Sequence, residues 1–580
     1  MPARTRLALA AILALGALFR IGVFLQARDG SILYFHRAAD TDMNFFDGWA
    51  RLIVAGDLLA APRPYHPWHD QVAREVYALT APGQPFDAET GRRLWDHWMG
   101  PHTLYQDPLY AYMLAALYAA FGVRLLPVLA FQAALGLGCA LLVFVAARRL
   151  WDDTVGLAAA ALAAFYAPLV FYELVLLRGG LLAFFALAAV CCATLAQAGG
   201  RARAWFGTGL AGGLAMLTHA VMAPLVLVLC ATAAWAPRAA GRRKALACAF
   251  GGLLLALSPL AVRNGLVGLP PWSSGSAQGY GAHNVISSHA VDANPRDGFP
   301  FSSYESRIFA RTDARFLPTV YETLATHPSA WSWLGLMGRK VLAFFDGWEN
   351  ADNVNFYYFL LQAPLARIGL RFGLLLPLAA LGLALGGRRA WTSPPLLAAA
   401  CVLLSALVFF TASRVRLTAA LCLVPFAACG LVEAARRLLH IGARSLAVPA
   451  LAAAAAGVLA WAPWWPRPQL VRPLDYRAGN ELGLARAAFE RQNGHVELAR
   501  RVIAKQIATE PPELRALQPA SDPVPVPAWA ARLAGSFAAL HREAVQDALQ
   551  AGRPPEALRH AEHARLLGAL ARRAAEAGGG

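Results

Sequence analysis

Apolar runs close to helix-spanning length, many of them ending in a pair of arginines, recur along this chain from its start to about residue 463. A helix rises ~1.5 Å per residue and a bilayer core is ~30 Å thick, so about twenty such residues cross it. In lipid each backbone N–H and C=O must be satisfied within the segment, which leaves the helix as the form these runs take. Predicted spans cover residues 7–26, 125–147, 155–173, 178–197, 205–218, 220–236, 245–262, 369–387, 394–412, 417–435 and 445–463, about eleven in all. Only 15% of residues are charged, against about 25% in a soluble domain. The mean hydropathy of +0.44 agrees. The expected class is an all-α polytopic membrane protein.

The net charge of +17 raises nucleic-acid binding as a reading. The positions of the arginines argue against it. Arg4 and Arg6, Arg148 and Arg149, Arg201 and Arg203, Arg238 to Lys244, Arg388 and Arg389, and Arg436 and Arg437 all sit in short loops or tails between runs. Basic residues there face the cytoplasm by the positive-inside rule. The amino terminus is then expected inside and the carboxyl terminus outside. The opening run is longer than a signal-peptide core and lacks a small-x-small cleavage site, so it is read as a retained first helix.

Residues 108–122 are apolar but reach only about 22 Å as a helix, too short for a full crossing. They are read as an interfacial or half-inserted helix. Two long outer loops follow from this topology, at about 27–124 and 263–368, with a helical tail from 464 to 580. The run HPSAWSWLGLMGRKVLAFFDGWEN closing the second loop reads as an interface-lying helix. In the tail, two stretches with turns at Gly494 and Gly552 resemble degenerate tetratricopeptide-type hairpins. Their spacing departs from a regular array, and a plain helical bundle fits as well. The tail is a candidate surface for a protein partner. The eight cysteines all fall in predicted spans and suggest neither a disulfide framework nor a zinc pattern.

Chemistry is expected where the first loop begins. Asp40, Asp42 and Asp47 lie just beyond the first span, in the stretch DMNFFDGWARLIV. Phe46, Trp49 and Ile53 recur at helical spacing, so the stretch reads as an amphipathic helix on the membrane surface. A carboxylate at that boundary can act as general base on an acceptor hydroxyl, and it can equally cap the helix. Arg414 and Arg416 stand at the outer end of a span, against the charge trend. A guanidinium fork there suits a phosphate headgroup. Arg263 and Asn264 end another span on that side and are candidates for phosphate or sugar contacts. Glu173 is a candidate sugar-hydroxyl or metal contact at a third outer end. His219 is a polar residue between two short spans. His66, His69, His97 and His102 raise metal binding, but no matching acid or cysteine set accompanies them. No metal ligand is assigned, and a divalent metal requirement is left open.

These elements together resemble the C-type (GT-C) glycosyltransferases, in particular the bacterial protein-mannosyltransferase-like branch of family 39. The resemblance is carried by Asp42 to Ala50 with Gly56 and Asp57, by Pro108, Leu109 and Tyr110 leading to Phe121 and Gly122, by Arg263 and Asn264, by GRKVLAFFDGWENADN at 338–353, and by SRVRL at 413–417. It extends over roughly residues 1–440. The resemblance implies an enzyme that takes a sugar from a polyprenyl-phosphate carrier on the outer face of a bacterial inner membrane and passes it to a protein, lipid or glycan acceptor. It implies Asp42 as the catalytic base and Arg414 and Arg416 as the phosphate grip; Asp107, which departs from the family's usual residue there, is a candidate second acidic contact. Two rival readings are a lipid-linked sugar transporter and a non-catalytic envelope assembly protein. The transporter reading needs polar residues through the middle of several spans, whereas here they gather at the ends.

Overall fold

The computed structural model describes residues 1–39, 41–62, 67–100, 102–199, 201–235, 241–273, 279–296, 302–351, 353–464, 471–517 and 526–578. Asp40, His66 and Arg238 lie outside them. Among the described residues every regular element is a helix, apart from an isolated bridge between Tyr166 and Leu370. The chain divides into two compact units. One comprises Met1–Ala17, Phe45–Asp352 and Leu370–Trp464; the other comprises Leu18–Asn44, Asn353–Gly369 and Trp465–Gly580.

Among the described residues, seven helices are long and apolar enough to cross a membrane: Ala3–Ala27, Leu125–Leu150, Gly179–Gly199, Arg242–Leu266, Gly387–Val408, Ser413–His440 and Ala443–Trp461. Shorter apolar helices cover Leu109–Phe121, Asp153–Ala164, Ala220–Trp235 and Phe372–Leu385. The chain is a multi-pass membrane protein, as its apolar runs suggested. One expected span differs in form. The run at 155–173 breaks into Asp153–Ala164 and Ala167–Glu173. Pro168 has no N–H to give, and in a continuous helix its ring would clash with the Ala164 carbonyl four residues back. The freed backbone groups find partners across the bridge: Ala167 N–H donates to Leu370 O at 2.9 Å, and Leu370 N–H donates to Phe165 O at 2.8 Å.

Within the larger unit, several helices touch backbone to backbone through glycine. A Cβ on Gly209 would fall 1.7 Å from the Ala249 carbonyl oxygen, and one on Gly252 would fall 2.2 Å from that of Phe206. This joins Ala202–Thr218 to Arg242–Leu266. A Cβ on Gly382 would likewise meet the Phe426 carbonyl oxygen at 1.7 Å, joining Phe372–Leu385 to Ser413–His440. Small residues give membrane helices the contact area that apolar side chains facing lipid do not. The arginines at the helix ends are tied locally. Asp152 caps the helix Asp153–Ala164 by accepting from Val155 N–H and also accepts from Arg436 at 2.8 Å. Arg148 pairs with Asp153, which accepts from the Thr5 hydroxyl as well.

The smaller unit contains the two expected hairpins. Pro473–Gln492 turns into Val496–Ile507, and Ala534–Gln550 turns into Pro554–Gly578. Gly494 (φ +79°) and Gly552 (φ +68°) make the turns in the left-handed region that glycine enters without a Cβ clash. Composition alone drew the boundary of the tail near 464. The compact unit also takes in Leu18–Asn44 and Asn353–Gly369. Buried polar contacts account for this. Tyr358 Oη lies 2.9 Å from Ser31 Oγ and accepts from Gln506 Nε2 at 2.7 Å. Arg486 donates to the Arg28 carbonyl at 2.9 Å and lies over the Tyr34 ring.

Candidate active site

The stretch singled out first is a helix, Asp42–Val54. Its apolar face is not laid on a membrane surface. Phe46, Trp49 and Ile53 are buried with Tyr110, Leu114 and Tyr118 from Leu109–Phe121 in one hydrophobic cluster. Helical spacing marks a face that seeks apolar surroundings without naming them, and here a neighbouring helix supplies them. Phe46 meets Tyr110 edge-to-face at 5.0 Å between ring centres. Of the acids, Asp47 is buried and engaged: it accepts from Tyr118 Oη at 2.5 Å and from Arg51 at 2.9 Å. Asp42 opens the helix and is half-buried. Its backbone N–H donates to Asn353 Oδ1 at 2.6 Å, and Asn353 Nδ2 donates back to its carboxylate at 3.1 Å. Asn353 thus holds Asp42 from two sides while leaving the carboxylate an acceptor.

Asp107 is the centre of a denser polar cluster. It precedes Pro108 and the helix Leu109–Phe121. Arg178 comes directly before the helix Gly179–Gly199, and His219 follows the last residue of Ala202–Thr218. Three helix ends therefore bring three ionisable side chains together. Arg178 Nη1 lies 3.3 Å and His219 Nδ1 lies 3.4 Å from Asp107 Oδ2. The Ala220 N–H donates to the same oxygen at 3.0 Å. Arg178 Nη2 stands 3.2 Å from His219 Nε2, and the guanidinium lies 5.7 Å from the centre of the Phe46 ring. Burial alone would raise the Asp107 carboxyl. The neighbouring His219 and the charge of Arg178, with the Ala220 N–H, outweigh it and hold the group below its ordinary value of 3.8. Arg414 also acts electrostatically on His219. Two guanidiniums thus bear on this site, and a guanidinium fork is the side chain best shaped to meet a phosphate.

Arg416 has a different setting from Arg414, two residues before it in the first turns of Ser413–His440. Its Nη1 donates to the carbonyls of Phe344 and Asp346, and its Nη2 to the Trp348 carbonyl and the Glu349 carboxylate. All four terminal N–H groups are engaged, so a phosphate would have to displace one of these acceptors. Arg263 and Asn264 are similarly occupied with backbone. Arg263 donates to His102 O at 2.7 Å and Leu59 O at 3.0 Å, and Asn264 donates to Ser273 O at 2.9 Å. Glu173 is buried at the end of its short helix, and its carbonyl accepts from Gln132 at 2.8 Å.

His69, His97 and His102 form no shared ligand set among the described residues. His97 pairs instead with Asp313 at 3.0 Å. The sequence reading missed Arg178 and Glu349. Arg178 in LLRGG looks like any arginine at a helix end, and only the fold sets it against Asp107.

Residues 102–262 match the model of the dolichyl-phosphate-mannose-protein mannosyltransferase family, the branch that the sequence resemblance pointed to. Asp107, Arg178 and His219 all fall inside the matched segment. No curated protein matches the chain. Among solved structures, the apo oligosaccharyltransferase of Archaeoglobus fulgidus aligns at 13% identity and a TM-score of 0.37, covering 78% of this chain and 55% of that one. The same organism's oligosaccharyltransferase AglB with an inhibitory peptide and a dolichol-phosphate aligns at 14% and 0.36, covering 84% and 59%. ArnT from Cupriavidus metallidurans bound to undecaprenyl phosphate aligns at 13% and 0.34, covering 91% and 88%. This chain thus spans little more than half the length of the archaeal enzymes. At these scores the neighbours' ligands say nothing of its own.

Proposed function

We propose that this chain is a membrane glycosyltransferase that moves a sugar from a polyprenyl-phosphate carrier to an acceptor on the extracytoplasmic side. The observation that carries this reading is the Asp107–Arg178–His219 cluster with Arg414, inside or beside the segment that matches the mannosyltransferase family. Its two guanidiniums have the geometry that grips a lipid-linked phosphate. Arg178 and Arg414 are the proposed phosphate contacts, and Arg416 braces the turn at 346–349 through its carbonyls and the Glu349 carboxylate. Arg263 and Asn264 shape the loops that they hold, and Glu173 is buried beside Gln132.

Asp42 is the proposed base. It takes the proton of the acceptor hydroxyl as the oxygen attacks the anomeric carbon. The bond from that carbon to the phosphate oxygen breaks, the configuration inverts, and the polyprenyl phosphate leaves as the anion. A positioned general base contributes about 10²- to 10⁴-fold to such a step.

The test is mass spectrometry of glycans and glycoproteins from cells lacking the gene, restored with the wild-type chain or with Asp42→Asn. The wild type should restore the missing glycan, and Asp42→Asn should restore at most about one part in 10² of it at equal membrane abundance. Full restoration by Asp42→Asn would remove Asp42 from the mechanism. An unchanged glycan profile on deletion would remove the glycosyltransferase reading altogether.

A further inference from the structure

The helical tail holds a side-chain cluster that the glycosyl-transfer reading does not use. Glu510 lies in the turn after Val496–Ile507, where its N–H donates to the Ile507 carbonyl at 2.9 Å. His541 is on Ala534–Gln550, and His563 is on Pro554–Gly578. Three separate elements therefore deliver one carboxylate and two imidazoles to one spot. The His563 Nε2 is 3.1 Å from Glu510 Oε1, and the His541 Nε2 is 3.4 Å from Glu510 Oε2. One donor atom from each residue falls within 4.8 Å of the others. The Glu510 and His541 side chains are 2% and 6% exposed, and that of His563 is 17%.

We propose that Glu510, His541 and His563 bind one divalent transition-metal ion, of which zinc fits best. Zinc holds imidazole nitrogen and carboxylate oxygen at ~2.0–2.1 Å, so neighbouring ligand atoms of a tetrahedral site are about 3.3–3.4 Å apart. The separations of 3.1 Å from His563 to Oε1 and 3.4 Å from His541 to Oε2 are of that size, and a turn of the Glu510 carboxylate presents one oxygen to an ion held by both imidazoles. Two imidazoles and one carboxylate leave a fourth position for water, and the partial exposure of His563 provides a path to it. His560 stands behind the site. Its Nδ1 lies 2.9 Å from His541 Nδ1. An Nδ1–H on His541 donating to His560 would leave the His541 Nε2 lone pair for the ion, as outer hydrogen bonds do at zinc sites. The bond would tie the turn at 508–511 to both helices of the second hairpin, so the ion acts as a clasp within the tail.

The competing account is a hydrogen-bonded network in which both imidazoles donate to Glu510. The experiment uses the full-length chain in detergent without a polyhistidine tag, stripped with a chelator. Zinc is titrated in competition with a chromophoric chelator, and cobalt is added to a parallel sample for its visible absorption. The expected result is one zinc per chain and the intense cobalt bands of a tetrahedral site. His541→Ala and His563→Ala should each weaken zinc binding more than about 100-fold, and His560→Ala about 10-fold. Glu510→Gln retains an acceptor for the imidazoles and so keeps the network, yet should lose zinc affinity like the histidine variants. A wild-type chain that takes up no stoichiometric zinc and gives no tetrahedral cobalt spectrum would overturn the proposal, whatever the variants do. So would equal zinc affinity in the wild type and Glu510→Gln.

Discussion

A carboxylate surrounded by helix ends, as Asp107 is, draws its stability from the charges that face it. Its folded pKa is depressed, so its contribution is present above the ordinary carboxylate value and is lost as pH falls through the folded one. Asp107→Asn should leave Arg178 without its anionic partner and destabilise the protein by about 3–5 kcal/mol, the range for breaking a buried pair. Thermal unfolding in detergent would measure this. The wild type should also lose its advantage over the variant below about pH 4, as expected for a carboxylate lowered from its ordinary value. At this scale the sequence showed the candidates but not their pairings. Asp107 was visible through the Pro-Leu-Tyr motif beside it and His219 as a polar residue between apolar runs. Arg178 is 71 residues from Asp107, and no local pattern links them. Arg416 was visible too, but four acceptors from the 344–349 turn reach it only after folding.

At the scale of elements, periodicity located helices well and their neighbours poorly. The face of Asp42–Val54 was legible from the spacing of Phe46, Trp49 and Ile53. Its contact with Leu109–Phe121 was not, since an apolar stripe has the same pattern against lipid as against protein. The helix Ala330–Phe345 shows the same limit. Trp331 is exposed, as an interface-lying helix suggests, yet Lys340 is buried and turned inward. Its ammonium donates to the carbonyls of Leu407 and Phe409, both at 3.0 Å, at the end of the helix Pro394–Val408. Those carbonyls have no partner within their own helix, and a cation there also meets the negative end of the helix dipole. Burial lowers the Lys340 ammonium from 10.5 to about 7. Between those values the unfolded chain binds more protons than the folded one, so this group makes stability rise with pH across that window. Lys340→Met should remove that rise. Unfolding midpoints of the wild type and the variant between about pH 7 and 10 are the check, and parallel slopes would contradict it.

For the whole molecule, the charge pattern makes a prediction about sidedness that helix lengths alone do not. By the positive-inside rule, the basic pairs beside the spans predict an amino terminus inside and a carboxyl terminus outside. A reporter enzyme active only outside the cytoplasm should work when fused after Gly580 and fail when fused before Met1. The reverse result would invert the assignment and move Asp42 to the cytoplasmic side. The tail hairpins were legible from Gly494 and Gly552. The recruitment of Leu18–Asn44 and Asn353–Gly369 into the same unit was not, because it rests on hydrogen bonds such as Gln506 to Tyr358 between distant residues. The glycine crossings at Gly209, Gly252 and Gly382 bear on heredity as well as on packing. Any codon change away from glycine adds at least one carbon, and at these positions that carbon would coincide with a neighbouring helix's backbone. A single copying error at one of these glycines can therefore disable the gene product through its packing alone.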